Sequence, residues 1–493
     1  MEKHLHSIIK ILVIIVLLTS VIGIASCRSE ESSNNVSEKA PFPNTENATN
    51  LPRPIACPGT IPDGDGGALV IYAEFEQDNG QVIHVQRIDR SGELLWDKEL
   101  GKGYSFMGDH LKLISDGNGG VITYSRVSPV DEPGWGDETI FRVSFEGNVV
   151  WRTSLPVNRR IETITPDGAG GAIFSYRDSG QQNNCYIQKV DSQGHLLWGE
   201  DELLLRRDNY QFRSVRLISD DSEGAIITWH ERGDNPVSRV CAQRVDGNGT
   251  FLWEGQSRIK KGKVLYTTER ITEGQQGEMI GDGSGGVLLA WIENNWTPPI
   301  LYHVTAMHID PDGISKWESH TELGTEVSTS GYVAFPFVIR DSTETFLFWS
   351  NVNTIYAQKL DESGEPLWPN NGIVVWQDPD SLRLSNQVVN DGFGGVFIVW
   401  SYIKKEPSPQ GTKLGIQKLN LDGTIIWNSE GKPVETLEKT FSTLSDVSPD
   451  GEGGVFVTWT SGTEMGTTEN TYIQKINEDG VPIWESGGIK LGR

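Results

Sequence analysis

The residues of this chain that could do chemistry are, first, aspartates set in glycine-rich turns. An Asp-Gly-x-Gly-Gly motif starts at Asp63, Asp116, Asp167, Asp282, Asp391 and Asp450. Asp63-Gly64-Asp65-Gly66-Gly67 has the look of a calcium loop. An EF-hand, however, needs acidic ligands at alternating positions and a glutamate at the twelfth, which are missing. An Asx turn, in which the aspartate caps its own backbone, explains the motif and its recurrence better. A glycosidase-type Asp box also fails, because Trp459 lies too far beyond Asp450. The histidines form no His-Glu-x-x-His pattern, and His303 and His308 would face opposite sides of a strand. Neither a Gly-x-Ser-x-Gly elbow nor a phosphate-binding loop occurs. Paired carboxylates drawn from separate repeats could still meet, and sequence does not show them. We therefore expect no catalytic residue, no metal and no cofactor. The variable charged and amide residues Lys112, Arg213, Arg216, Asn386 and Gln387 form no familiar set.

These turns must be positioned by strands. Degenerate turns at Asp220 and Asp341 bring the number to eight, spaced about 55 residues apart on average. An apolar stretch follows each turn and ends in an aromatic: Tyr72, Tyr124, Tyr176, Trp229, Trp291, Trp349, Trp400 or Trp459. Such a run bounded by glycine predicts a strand buried on both faces. Next comes a strand usually carrying glutamine, then Asp/Asn/Ser-x-x-Gly-x-x-x-Trp in all eight copies. Its tryptophans are Trp96, Trp151, Trp198, Trp253, Trp317, Trp368, Trp427 and Trp484. The pattern predicts four strands per repeat, with the glycine supplying the positive φ of a short bulged hairpin. One such sheet cannot bury its faces, whereas eight around an axis can. The fold class expected over 53–493 is all-β: a β-propeller of eight four-stranded blades. The tryptophans are expected to wedge between blades.

The repeat, quoted as Val190-Asp191-Ser192-Gln193-Gly194-His195-Leu196-Leu197-Trp198, resembles the quinoprotein-type propeller with its tryptophan-docking motif. The lipoprotein propeller subunits of the outer-membrane β-barrel assembly machine are similar in architecture and anchoring. The turn here is one residue shorter than the quinoprotein pattern, and the adjacent cysteine pair usual in quinone dehydrogenases is absent. The resemblance implies eight blades and speaks weakly to function.

The N-terminus reads as a targeting segment. Lys3 and Lys10 flank an apolar run, and Ile24-Ala25-Ser26-Cys27 resembles a lipobox. That implies a signal peptide over 1–26, lipidation at Cys27 and, over 27–52, a disordered tether poor in apolar residues. The expected location is the cell envelope, lipid-anchored to a membrane and facing the periplasm or exterior. Cys57, Cys185 and Cys241 fall in different repeats and read as small buried hydrophobes. A formal net charge of −25 argues against nucleic acid as a partner. A monomer is expected.

Three tryptophans stand outside the repeat positions: Trp135, Trp296 and Trp376. Trp135 and Trp296 fall in loops between second and third strands and are candidate binding anchors. The expected function is a noncatalytic, membrane-tethered binding scaffold for an envelope protein or glycan. The alternative is an extracytoplasmic hydrolase or lyase acting on glycans in the central channel.

Overall fold

The computed structural model describes residues 56–492 apart from 76–80, 104–110, 129–136, 157, 179–183, 200–202, 207–209, 234–236, 254–258, 261, 269–275, 295–301, 318–320, 326–333, 342–343, 370–371, 405–410, 435–439 and 464–469. The described residues contain no helix. They form eight four-stranded antiparallel meanders, one per repeat. Blade 1 is Ala56–Pro62, Ala68–Phe75, Gln81–Ile88 and Leu94–Gly103. Blade 8 is Phe441–Pro449, Val455–Gly462, Asn470–Ile476 and Ile489–Leu491. The first strand of every blade touches the first strands of both neighbours, and blade 8 returns to blade 1, so the ring is closed. Ala56–Pro62 pairs with Ala68–Phe75 of its own blade, so closure is by packing and not by strand exchange. Two departures from eightfold regularity occur. Blades 1 and 2 join in one sheet through Lys102↔Ser128 and Gly103↔Val127. Ile259–Lys260 adds a short parallel strand to the outer edge of blade 3.

The second strands are buried on both faces, as their uninterrupted apolar runs require. Trp229, Trp291, Trp349, Trp400 and Trp459 are among the largest fully buried side chains. The docking tryptophans do a different task. Each lies on the hairpin glycine of the next blade: a Cβ on Gly147, Gly249 or Gly364 would meet the ring of Trp96, Trp198 or Trp317 at 2.7, 2.9 or 2.5 Å. Trp484 closes the ring on Gly92 and donates its indole N–H to the Arg90 carbonyl at 3.1 Å. Gly364, with φ of 88°, thus meets two demands at once, a left-handed turn and no side chain beneath an indole.

The sequence reading put the tryptophan inside the fourth strand, and the structure corrects this for blades 3 to 8. There the hairpin makes one bridge, such as Val190↔Leu196 in blade 3, passes the tryptophan, and regains the ladder further on. The glutamine spans the gap. Gln188 Oε1 accepts from the Trp198 backbone N–H at 3.0 Å, and its Nε2 donates to the Gly199 carbonyl at 3.3 Å. The same bonds recur at Gln417 and Gln474, and at Gln358 with Nε2 donating to the Trp368 carbonyl itself. Trp376 accordingly belongs to the true fourth strand of blade 6, Ile373–Gln377, buried against Trp400 with ring centroids 5.2 Å apart.

Candidate functional site

The turn aspartates are committed to the ring. In seven blades one carboxylate oxygen accepts two backbone N–H groups of its own turn, as Asp63 does from Asp65 and Gly67 at 2.8 Å. The other oxygen faces a basic residue on the third strand. Arg87 meets Asp63 at 2.8 Å, Arg142 meets Asp116 at 2.9 Å, and Lys189 meets Asp167 at 3.3 Å. Arg244, His308, Lys418 and Lys475 do the same for Asp220, Asp282, Asp391 and Asp450. The place beside each of these carboxylates is therefore taken by a basic side chain. Several of these cations also reach the next blade: Arg142 donates to Ser192 O, Arg244 to Pro311 O and Lys475 to Gly66 O. Asp282 shows the electrostatics. Burial alone would raise it, but His308, Ser284 and two backbone N–H groups hold its carboxyl far below the usual carboxylate range. His308 is pushed down by burial despite that partner.

Chemistry not absorbed by the repeat lies on the innermost strands. Four residues before each turn aspartate the chain carries Gly59, Lys112, Thr163, Arg216, Glu278, Phe337, Gln387 and Asp446. Bulges interrupt the first strand in seven blades, at or near this position, and re-aim its side chains. In blade 7, Gln387 reaches across to the edge of blade 8, donating to Ser445 O and accepting from Val447 N, both at 2.9 Å. In blade 8, Asp446 likewise accepts from Thr60 N of blade 1 at 2.8 Å. These side chains follow the ring around the central channel.

Lys112, Arg216, Glu278 and Asp446 bring four charges into mutual influence there. Lys112, Arg216 and Glu278 sit on the innermost strands and are exposed to solvent, as channel-lining residues are. Burial pulls Lys112 down to about 8, helped by Arg216 and opposed by Glu278 and Asp446. Burial pushes Glu278 up to about 7, against the two cations. Burial pushes Asp446 up to about 6, against its backbone hydrogen bonds and Lys112. Behind Glu278 a cavity with room for about one water is walled by Thr228, His230, Met279 and Trp291. Burial, and then Arg216, push His230 down to about 4.

The sequence reading named Lys112 and Arg216 but did not join them to Glu278 and Asp446. The signal was available: numbering each first strand back from its turn aspartate aligns all four. Of the other residues named there, Asn386 is structural, its Oδ1 accepting from Ser350 and Arg383. Arg213 sits opposite His230 in the strand register. Cys185 and Cys241 are buried free thiols, and burial pushes Cys185 up to about 12. The side chain of Cys57 and all of Cys27, Trp135 and Trp296 fall outside the described residues. Among the described residues no helix is long and apolar enough to cross a membrane, and no group of three His, Cys, Asp or Glu could hold a metal ion.

No family model matches the chain, and no curated protein matches it. Solved structures do. A protein of unknown function from Bacteroides caccae is 16% identical, with a TM-score of 0.26 over 59% of this chain and 88% of that one. Prolyl oligopeptidase B from Galerina marginata is 12% identical, with a TM-score of 0.41 over 82% of this chain, which spans 55% of that enzyme. The WD40 domain of SCAP from fission yeast is 11% identical, with a TM-score of 0.40 over 82% of this chain and 90% of that one.

Proposed function

We propose that this chain is a noncatalytic propeller scaffold, lipidated at Cys27 and tethered to the extracytoplasmic side of a membrane. In this reading it binds an envelope protein or glycan. One observation supports it above the others. The repeated polar residues (turn aspartates, third-strand basic residues, glutamines and docking indoles) are engaged in building each blade and docking it on the next. Recognition is thereby left to the parts that do not repeat. Chief among these are the second-to-third-strand loops, which carry Trp135 and Trp296 in blades 2 and 5. The strands that flank both loops occupy equivalent places in blades three apart, an arrangement that suits a broad macromolecular contact better than a small pocket.

The test is in two steps. Cys27→Ala should move the protein from the membrane fraction to the soluble one and abolish acyl labelling. Wild type cross-linked to its solubilised envelope should retain a defined partner, and Trp135→Ala/Trp296→Ala should lose it with the thermal melt unchanged. Equal retention by the double variant would remove these loops from function.

A second reading is an extracytoplasmic glycan hydrolase or lyase. The observation favouring it is the Glu278 carboxyl, pushed up to about 7 in the same channel as Asp446. A carboxyl in that range can serve as a general acid near neutral pH. Turnover of a glycan by wild type, lost in Glu278→Gln, would select this reading over the scaffold.

A further inference from the structure

The channel holds two cations that the repeat does not need. Lys112 and Arg216 stand at equivalent positions of blades 2 and 4, and each charge disfavours the other. Among the described residues, neither side chain makes a hydrogen bond or ion pair with a protein group, in contrast to the third-strand cations, each held by a carboxylate. The acids nearby do not neutralise them well. Asp446 is already occupied by Thr60 N, and Glu278 makes no direct bond to either cation. Both residues are exposed to the channel, so water solvates each, but two like charges brought together without a partner still cost free energy by repulsion. Water in the channel meets part of that cost, and an anion would meet it better.

We propose that the central channel is a binding site for a small oxyanion, a carboxylate or phosphate group, held between Lys112 and Arg216 with Glu278 as a hydrogen-bond donor on its far side. Neither a tethering role nor catalysis is needed for this, so it goes beyond the scaffold reading. Lys112 and Arg216 flank Thr163's blade, Glu278 stands on the blade next to Arg216 and Asp446 two blades beyond Lys112, so the arc centred on Thr163 carries only positive charge at this register. Arginine offers a planar fork for two oxygens and lysine a point charge, a pairing suited to either oxyanion.

Binding should carry a proton with it. The groups that face Glu278 are Lys112, Arg216, Asp446 and, across the small cavity, His230. His230 is neutral near pH 7 because burial keeps it so. Glu278 is raised to about 7, and a neighbouring anion shifts it further toward the protonated, donating form.

The experiment is titration calorimetry on the whole protein at pH 7, with inorganic phosphate in one arm and malonate in the other. Each arm is run in two buffers of different ionisation enthalpy. The expected result is saturable binding of at least one probe with net proton uptake; the arm that binds more tightly identifies the oxyanion. Lys112→Met and Arg216→Met should each weaken binding at least tenfold with the melting temperature preserved, and Lys112→Arg should restore it. Glu278→Gln should still bind, with proton uptake reduced. Three results would overturn the proposal: no binding of either probe, affinities within threefold of wild type in both methionine variants, or unchanged proton uptake in Glu278→Gln.

Discussion

At the hairpin glycine, from Gly92 to Gly480, all eight blades carry the same residue beneath a neighbour's indole. Four residues before the turn aspartate, the eight blades carry eight different residues. Both positions occur once per repeat, and both face a neighbouring blade or the space it shares. The difference is what surrounds them. The glycine lies in a tight wedge where one extra carbon would collide with a ring, so geometry permits a single answer. The inner-strand position faces a wet channel where many side chains fit, so geometry permits variety. Residues held constant around the ring therefore report on closure, and residues that vary at a constrained register are where binding chemistry can be placed.

The largest effect that tests this contrast is at a docking tryptophan. Trp317 is 2% exposed, sits on Gly364 and donates to Glu362 O at 3.0 Å. Trp317→Ala should cost roughly 3–5 kcal/mol in urea unfolding. Trp427 is only partly buried, so Trp427→Ala should cost less. In the channel, Lys112→Met should stay within about 1 kcal/mol of wild type, since it removes no packed contact. A large loss there would mean that the channel charges hold the ring together.

The turn aspartates sharpen the comparison within a single class of interaction. Asp63 and Arg87 are both buried, and Arg87 also stacks 3.3 Å over the Phe145 ring of blade 2. Asp63→Ala leaves that guanidinium with only the exposed Asp65 carboxylate at 3.7 Å and two turn N–H groups without an acceptor, so about 3 kcal/mol should be lost. Blade 6 has no Asp-Gly turn and uses Glu344 against Lys359 at 2.7 Å, with the carboxylate 40% exposed. Glu344→Ala should cost no more than about 1 kcal/mol. Equal losses in the two variants would show that burial does not set the strength of these pairs.

The ring was legible in the sequence because its constraints repeat. Glycine under tryptophan, aspartate before glycine and glutamine before a cation each recur at fixed spacing. What the sequence reading missed has a physical cause in each instance. Trp376 seemed to lie beyond the fourth strand because the ladder breaks at Trp368 and resumes at Ile373, a gap bridged by Gln358 without any apolar signal. Glu278 was missed because it sits in a bulge, between the paired residues Gln276 and Met279, where alternation fails. Asp446 was missed because a lone acid on a strand says nothing until three other blades place charges beside it.

The smallest effect concerns pH, and its sign follows from the channel. Glu278 is raised from an ordinary glutamate value to about 7, so the folded protein binds its proton more tightly than the unfolded chain does. The stability it contributes is complete below the unfolded value, near 4.5, and is lost as pH rises through 7. Glu278→Gln cannot ionise, so its melting temperature relative to wild type should climb across that window and level off above it. His230 acts in the opposite direction at lower pH. Burial depresses it to about 4, so stability falls as pH drops from 6.5 toward 4, in both proteins alike. The difference between the two melts isolates Glu278, and its channel position, still partly open to water, keeps the shift to a few degrees at most. A flat difference between pH 4.5 and 8 would show that water in the channel solvates the carboxylate as well as bulk water does. It would also take from Glu278 the proton that both the oxyanion site and the glycan-cleaving alternative ask of it.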